Sequence, residues 1–386
     1  METRFDPATD IILRERCAIT GSTDLEPLYR FERFPVFMGC VHHPESEDLY
    51  ADMDWWISKS SGLIQLRQLL PLEVLYPAEH GAGAVGALWE KHHRTFAEFV
   101  HQYAPKAVLE VGGASGILAR EYQKLAKIEW TIVEPNPAPV PGCEARYIKG
   151  FFDEKFAYDG QPDTVIHSHL WEHIYEPDVF MAHLSGFIQQ GQRLLFALPN
   201  MQVWLERCYT NCMNFEHTLF MTEPYIEYML AKHGFEIEKK ELFLPDHSIF
   251  YSTIKTGQTK PVALPAGLYE QNRQHYLNYV AYHEKLIAEL NQHLDTTDKP
   301  TYLFGAHIFA QSLLGFGLDQ NRIVSLLDND PNKQGKRLYG TRLMVNSPEV
   351  LRGLDAPVVI LKAGVYNPEI KAKILGTVNP TVVFLE

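Results

Sequence analysis

Glu110, Gly112, Gly113, Ser115 and Gly116 stand within one short turn, and Glu134 follows Gly112 by 22 positions. These residue types suit a site that holds a nucleotide-type ligand against the backbone. Glycines reach conformations closed to other residues and let a ligand approach closely. An acid at the end of the following strand can accept hydrogen bonds from ribose hydroxyls. Without a ligand, the same pattern is a plain structural βαβ unit. A second group of side chains has the chemistry to move protons. His169 and His173 lie in His167-Ser-His-Leu-Trp-Glu-His173, and Asn214-Phe-Glu-His217 sets Glu216 beside an imidazole. Histidine is the side chain whose ordinary pKa best suits a base near neutral pH. With 17 histidines in the chain, any one alone carries little weight.

The elements that must position these groups follow from the apolar runs. Val108–Val111 enters the glycine turn, Ile117–Leu125 reads as a helix, and Trp130–Val133 ends on Glu134. That is the first half of a doubly wound α/β sheet, which binds ligands outside the carboxyl ends of its strands. A helix is expected from near Ala87, with Leu88, Phe96, Phe99 and Val100 inward. Further strands are expected at Thr164–Ile166 and Arg193–Leu198. A helix then runs to about His233, stops at Gly234, and a late antiparallel strand begins at Phe235.

Residues 1–75 have weak periodicity and predict an N-terminal lobe of short strands and loops. Residues 76–255 form the expected central domain. Residues 256–296 hold a linker and a long helix from about Gly267 to His293, with Leu268, Tyr276, Tyr279, Val280, Leu286, Ile287 and Leu290 near one face. Residues 297–386 repeat the opening logic. Thr301–Phe304, Gly305 and Asp328, 23 positions after that glycine, make a second strand–Gly–helix–strand–acid unit, with strands at Val358–Leu361 and Val382–Leu385. The chain carries two nucleotide-type sites, or one site and a structural echo.

The 386 residues are 46% hydrophobic, enough for two or three cores. A net charge of −13 without a basic block argues against nucleic acid as a partner. No apolar run has the length of a membrane span, and Met1–Asp10 is polar, so a soluble cytoplasmic protein is expected. Five irregularly spaced cysteines suggest reduced thiols.

The turn lacks the G-x-G-x-x-G spacing of a dinucleotide site. Glu110-Val-Gly-Gly-Ala-Ser-Gly116 is instead similar to motif I of the class I S-adenosylmethionine (SAM)-dependent methyltransferases. That resemblance implies SAM as cofactor, with Glu110, Gly112, Gly113, Ser115 and Gly116 around its methionine part and Glu134 on its ribose. Phe151, Phe152 and Asp153 fall where such enzymes place adenine contacts, although Phe152 suits the core equally well. Ser168, His169 and Leu170 would close the pocket.

Over essentially its whole length the chain also resembles the sugar C-methyltransferases that act on nucleotide-linked deoxysugars. The shared parts are a small N-terminal lobe, the Glu-His pair at 216–217, and a C-terminal stretch, Asp328-Asn-Asp-Pro-Asn-Lys-Gln-Gly335, similar to that family's D-x-x-P-x-K-Q-G. The fold implied is α/β, with a class I methyltransferase (Rossmann-like) central domain, a small irregular N-terminal lobe and a second Rossmann-like C-terminal domain. The reaction implied adds a methyl group to carbon beside the ketone of a thymidine-diphosphate 4-keto-sugar, a small-molecule substrate held between the central and C-terminal domains. Such chemistry needs a base for the proton α to the carbonyl, donors for the enolate and an in-line methyl donor. The resemblance makes His217 the base, Glu216 its hydrogen-bond partner and His173 a further pocket histidine.

The chain departs from that family twice. The family binds zinc with two C-x-x-C pairs, and here those stretches read Cys17-Ala-Ile-Thr20 and Ser58-Lys-Ser-Ser61. Hydroxyls are poor zinc ligands, so no metal is expected and the lobe should hold by apolar packing. The alternative is a rearranged site from Cys17, Cys40, His42 and His43. Second, Asn214 stands where the family often has tyrosine, and Glu79-His-Gly-Ala-Gly83 replaces a tyrosine-bearing stretch. Asn214 can still donate to an enolate oxygen, but it lacks a phenol's acidity. Methylation at oxygen or nitrogen is therefore a second reading, and a silent ligand-binding protein a third. Gly305–Ala310 lacks the later glycines of an NAD site, so the C-terminal domain is expected to be a wall against the substrate's nucleotide, through His307 and Asn329.

Overall fold

The computed structural model describes residues 10–76, 86–259 and 262–386. Seven strands build the central sheet: β1 (Ala107–Val111), β2 (Glu129–Glu134), β3 (Arg146–Lys149), β4 (Thr164–Ser168), β5 (Arg193–Pro199), β6 (Phe235–Leu242) and β7 (Ser248–Lys255). Their order is 3-2-1-4-5-7-6. Pairing is parallel from β3 to β5 and antiparallel where β7 joins β5 and β6. Strands covered on both faces read as continuous apolar runs, and Leu194 to Leu198 of β5 are each at most 1% exposed. Helices Ala87–His101 and Ile117–Gln123 cover one face, while Pro177–Phe187 and Glu223–Lys232 cover the other. The strand order reverses between β1 and β4, which sets the ligand crevice outside their carboxyl ends. The glycine turn follows β1 there, and His169–His173 follows β4.

The N-terminal lobe is more regular than its sequence suggests. Leu25–Pro35, Tyr50–Ser58 and Ile64–Leu66 form an antiparallel sheet. Ala51, Met53, Trp55 and Ile57 alternate inward at 4% exposure or less. Register shifts at Pro27/Tyr29 and Phe31/Phe34 break the same alternation in the partner strand and hide it from a reading by period. This sheet also reaches the central domain. Leu66 N–H donates to Thr218 O at 2.9 Å, and Phe220 N–H donates to Ile64 O at 2.9 Å. The buried Arg14 guanidinium ties the same junction to Thr218 O at 2.9 Å and Tyr175 O at 2.7 Å. The lobe therefore holds the segment that follows Glu216 and His217.

A second, five-stranded parallel sheet lies near the C-terminus. Its strands run in the order Val345–Asn346, Leu326–Leu327, Thr301–Phe304, Val358–Leu361 and Val383–Leu385. The helix Leu268–Thr296 joins the two sheets, somewhat longer than the spacing implied. Its buried stripe serves two cores in succession. Tyr276, Tyr279 and Val280 pack with the N-terminal lobe, and Leu286, Ile287, Leu290 and Leu294 pack under the C-terminal sheet. Among the described residues no helix is long and apolar enough to cross a membrane.

The lobe also grips the C-terminal part. Cys40–Val41 pairs with Arg337–Leu338, and the Arg337 guanidinium meets both Asp48 carboxylate oxygens at 2.6 and 2.8 Å. The Asp48 side chain is fully buried. Arg337→Ala would strand that charge, so a loss of about 3–5 kcal/mol is expected. A lowered urea midpoint would show it, and an unchanged midpoint would mean that the pair contributes nothing.

Candidate active site

The glycine turn is shaped by what lies beneath it. Gly112 (φ +70°) and Gly116 (φ +72°) occupy the left-handed region, which favours glycine. A Cβ on Gly113 would lie 2.7 Å from Ile132 and 2.8 Å from the Glu110 carboxyl carbon. Glu110 is thus under the turn rather than facing the crevice. It accepts the Trp130 indole N–H at 2.8 Å, and burial raises its pKa to about 7. This corrects the expectation that Glu110 reaches the ligand.

Glu134 sits at the end of β2 with both oxygens turned to the backbone. Oε2 accepts Ala114 N–H and Oε1 accepts Asn136 N–H, each at 3.0 Å. A carboxylate has about four acceptor positions, so two amides leave capacity for a diol. Ser115 stands in the same turn, and its carbonyl accepts Val140 N–H at 2.9 Å. Phe152 turns into the core against Phe156, Phe180, His183 and Phe187, which leaves its neighbour Phe151 54% exposed. The expected adenine contact therefore belongs to the core at Phe152. Asp153 is exposed, with Oδ1 accepting Lys155 N–H at 2.9 Å.

The acid–base candidates gather across the crevice. The rings of His173 and His217 lie 5.2 Å apart. Asn214 Oδ1 accepts His217 N–H at 2.8 Å, which turns its amide nitrogen to His217 Nδ1 at 3.0 Å. The same Nδ1 lies 3.4 Å from Cys212 O. These partners suit both neutral tautomers. A proton on Nδ1 donates to Cys212 and leaves Nε2 a base; a proton on Nε2 leaves Nδ1 accepting from Asn214. Glu216 was expected on His217, but its carboxylate is found 3.9 Å from His173 Nδ1. Burial pushes His217 and His173 each down to about 4 and raises Glu216 to about 8. At pH 7 both rings are therefore neutral and Glu216 is largely protonated.

Two participants were not legible in the sequence. The Tyr76 hydroxyl lies 3.0 Å from His173 Nδ1, so a phenol is present although Asn214 replaces the expected tyrosine. Glu172, buried after β4, lies 3.9 Å from His173 Nε2 and 3.5 Å from His169 Nδ1. His169 itself has φ +52° and packs edge-on to Trp89 with its Nε2 3.0 Å from Ser248 Oγ, and the next residue, Leu170, lies against Gly112 of the glycine turn. The stretch Glu79–Gly83 lies outside the described residues.

A cavity opens between the two sheets. Trp89, Trp204, Tyr209 and Asp246 line it from the central side, and Phe309, Gly364 and Tyr366 from the C-terminal side. Trp204 also packs 6.2 Å from His217, ring to ring. Tyr279 and Tyr282 of the long helix brace the two walls, through Tyr209 O at 3.3 Å and Lys362 Nζ at 2.7 Å.

The second strand–Gly–acid unit is filled by its own chain. Asp328 accepts Ala306 N–H at 3.0 Å, Asp330 N–H at 2.9 Å and Lys333 Nζ at 3.1 Å. Asn329 accepts Lys373 Nζ at 3.0 Å on the surface. His307 N–H turns back to Gly305 O at 2.8 Å.

The rearranged metal set is not assembled. Cys17 Sγ lies 3.2 Å from Ser61 Oγ in the central core, bringing together two positions of the lost C-x-x-C pairs. Cys40 packs instead on the C-terminal core.

The family model for a methyltransferase domain matches residues 88–240, from the helix Ala87–His101 into β6. No curated protein matches the chain. Among solved structures it is similar to magnesium protoporphyrin IX methyltransferase from Synechocystis with bound SAH, at 15% identity and TM-score 0.36, over 46% of this chain and 90% of that one. It is also similar to 1,6-didemethyltoxoflavin-N1-methyltransferase from Burkholderia thailandensis, at 15% identity and TM-score 0.35, over 43% and 79%. The central part of this chain is a methyltransferase domain with the class I, Rossmann-like α/β fold.

Proposed function

We propose that this methyltransferase domain uses SAM to methylate carbon beside the ketone of a nucleotide-linked 4-keto-deoxysugar. The observation that carries the reading is the neutral pair His173 and His217, with Tyr76 and Asn214 on its nitrogens, beside a cavity between the two sheets. In this reading Gly112, Gly113, Ser115 and Gly116 take the methionine part of SAM, and Glu134 binds the ribose with its remaining acceptor capacity. SAM supplies an electrophilic methyl group. In the tautomer whose Nδ1–H donates to Cys212 O, which gives up the Asn214 amide contact, His217 removes the α proton through Nε2, and the protonated Glu216 and the Tyr76 phenol offer donors near the developing enolate. The C-terminal sheet contributes a wall rather than a second nucleotide site, because Lys333 already neutralises Asp328.

Methylation at oxygen or nitrogen is favoured by one feature, Asn214 in place of tyrosine. The test is incubation with SAM and a panel of nucleotide 4-keto-sugars in deuterated water. Carbon methylation predicts S-adenosylhomocysteine release, a methylated sugar and deuterium wash-in beside the ketone that is lost in His217→Ala. Methyl transfer to a hydroxyl or amine of the sugar would overturn the carbon reading. Absence of SAM binding to the wild type would overturn both. Glu134→Ala should weaken SAM binding about tenfold or more, as loss of a hydrogen-bonded charged partner does.

A further inference from the structure

We propose that His92, His169 and His247 form a binding site for a divalent zinc-type ion beside the substrate cavity. The three come from separate elements: the helix Ala87–His101, the turn after β4 and the turn before β7. Their ligand atoms all lie within 4.8 Å of one another. Ring centroids are 5.2 Å apart for His92 and His169, and 5.3 Å for His92 and His247. Three nitrogen donors with a further position open make a familiar zinc ligand set.

Two observations point to a ligand. His92 is 1% exposed, and neither ring nitrogen has a hydrogen-bond partner. Buried polar atoms left unpaired in this way are uncommon and costly. A metal ion would engage one of them. The second is Glu172, whose buried carboxylate lies 3.5 Å from His169 Nδ1 and also has no hydrogen-bond partner. A carboxylate behind a ligating imidazole orients the ring and raises its basicity.

The Ser248 hydroxyl now bridges His247 Nδ1 at 2.6 Å and His169 Nε2 at 3.0 Å. It marks the space between these rings that the ion would occupy. The backbone at His169, held at φ +52°, sets that ring toward the other two. The site does not depend on which atom the domain methylates. It borders the proposed acid–base pair through Glu172, which faces both His169 and His173.

The experiment uses the full chain, stripped with chelator, reloaded with zinc chloride or cobalt chloride, and freed of excess ion by gel filtration. One ion per chain is expected by elemental analysis. The cobalt form should show the visible absorption of a four- or five-coordinate nitrogen site. His92→Gln and His247→Gln should each weaken binding at least tenfold, while His217→Ala binds as wild type does. Zinc should raise the melting temperature of the wild type and of His217→Ala, but not of the two glutamine variants. Circular dichroism verifies that each variant is folded; if one is not, the other carries the comparison. No retained ion in the wild type would overturn the proposal. So would undiminished binding in a folded glutamine variant, or loss of the ion in His217→Ala, which would assign it to Glu172, His173 and His217.

Discussion

His217→Ala should lower the methyl-transfer rate by about 10²–10⁴-fold, the usual worth of a positioned acid–base group, and leave SAM affinity unchanged. The separation is expected because His217 reaches the cavity through Trp204, whereas the glycine turn and Glu134 stand at the ends of β1 and β2. The pH profile offers a second readout. A solvent-exposed histidine base would give an acid limb near 6.5. Burial holds His217 at about 4, so the rate should stay level through pH 6.5. An alkaline limb near 8 is expected instead, where Glu216 loses the proton that burial makes it keep. A wild-type break near 6.5 on an intact fold would sink this assignment, as would an active His217→Ala enzyme.

Acid should unfold the protein well before its ordinary carboxylates titrate. Burial lowers His93, His173, His217 and His283 to about 4, lowers His167, His169 and His247 to about 3, and lowers His92 as well. For each, the folded pKa lies below the unfolded value. Between about pH 6.5 and pH 4 the unfolded chain therefore binds protons that the folded chain refuses, and stability falls as pH falls. Glu110, Glu172 and Glu216 act in the opposite sense, because burial raises their pKa. Their contribution is present in acid and is lost as pH rises, through about 7 for Glu110 and about 8 for Glu216. Eight imidazoles outnumber three carboxyls, so the net change on acidification is destabilising. Each imidazole costs on the order of 1 kcal/mol per pH unit across its window. Several together approach the whole stability of an ordinary domain, about 5–15 kcal/mol. Urea midpoints measured between about pH 7 and pH 5 should fall steeply; a flat series would mean that these rings are protonated in the folded state.

The sheet that carries the site was readable because its strands are mostly apolar and bounded by turn residues. Val108–Val111, Trp130–Val133 and Arg193–Leu198 could hardly be anything but buried strands, and the glycines between them fixed the turn. The long helix announced itself through Tyr276, Tyr279, Val280 and Leu286 at helical spacing. Other elements lacked such a signal. β3, Arg146–Lys149, begins and ends on exposed cations at a sheet edge. The lobe sheet loses its alternation at two register shifts. The site was legible only where neighbours in space are near in sequence, as with Asn214 and His217. Tyr76 meets His173 from 97 positions away, and no spacing rule reaches that far. Glu110 was misplaced for a different reason. A motif gives the residue type, whereas the side of the backbone it takes depends on Trp130, one strand over.

Tyr279 and Tyr282 stand about one helical turn apart, and each holds one wall of the cavity. The gap between the walls is therefore gauged by a helix that lines none of it. A hinge at this helix would have to pull one tyrosine from its wall and uncover part of a stripe shared by two cores. If the cavity takes the proposed substrate, entry and exit would then fall to the cavity's own side chains, with the two sheets as the jaws of a caliper.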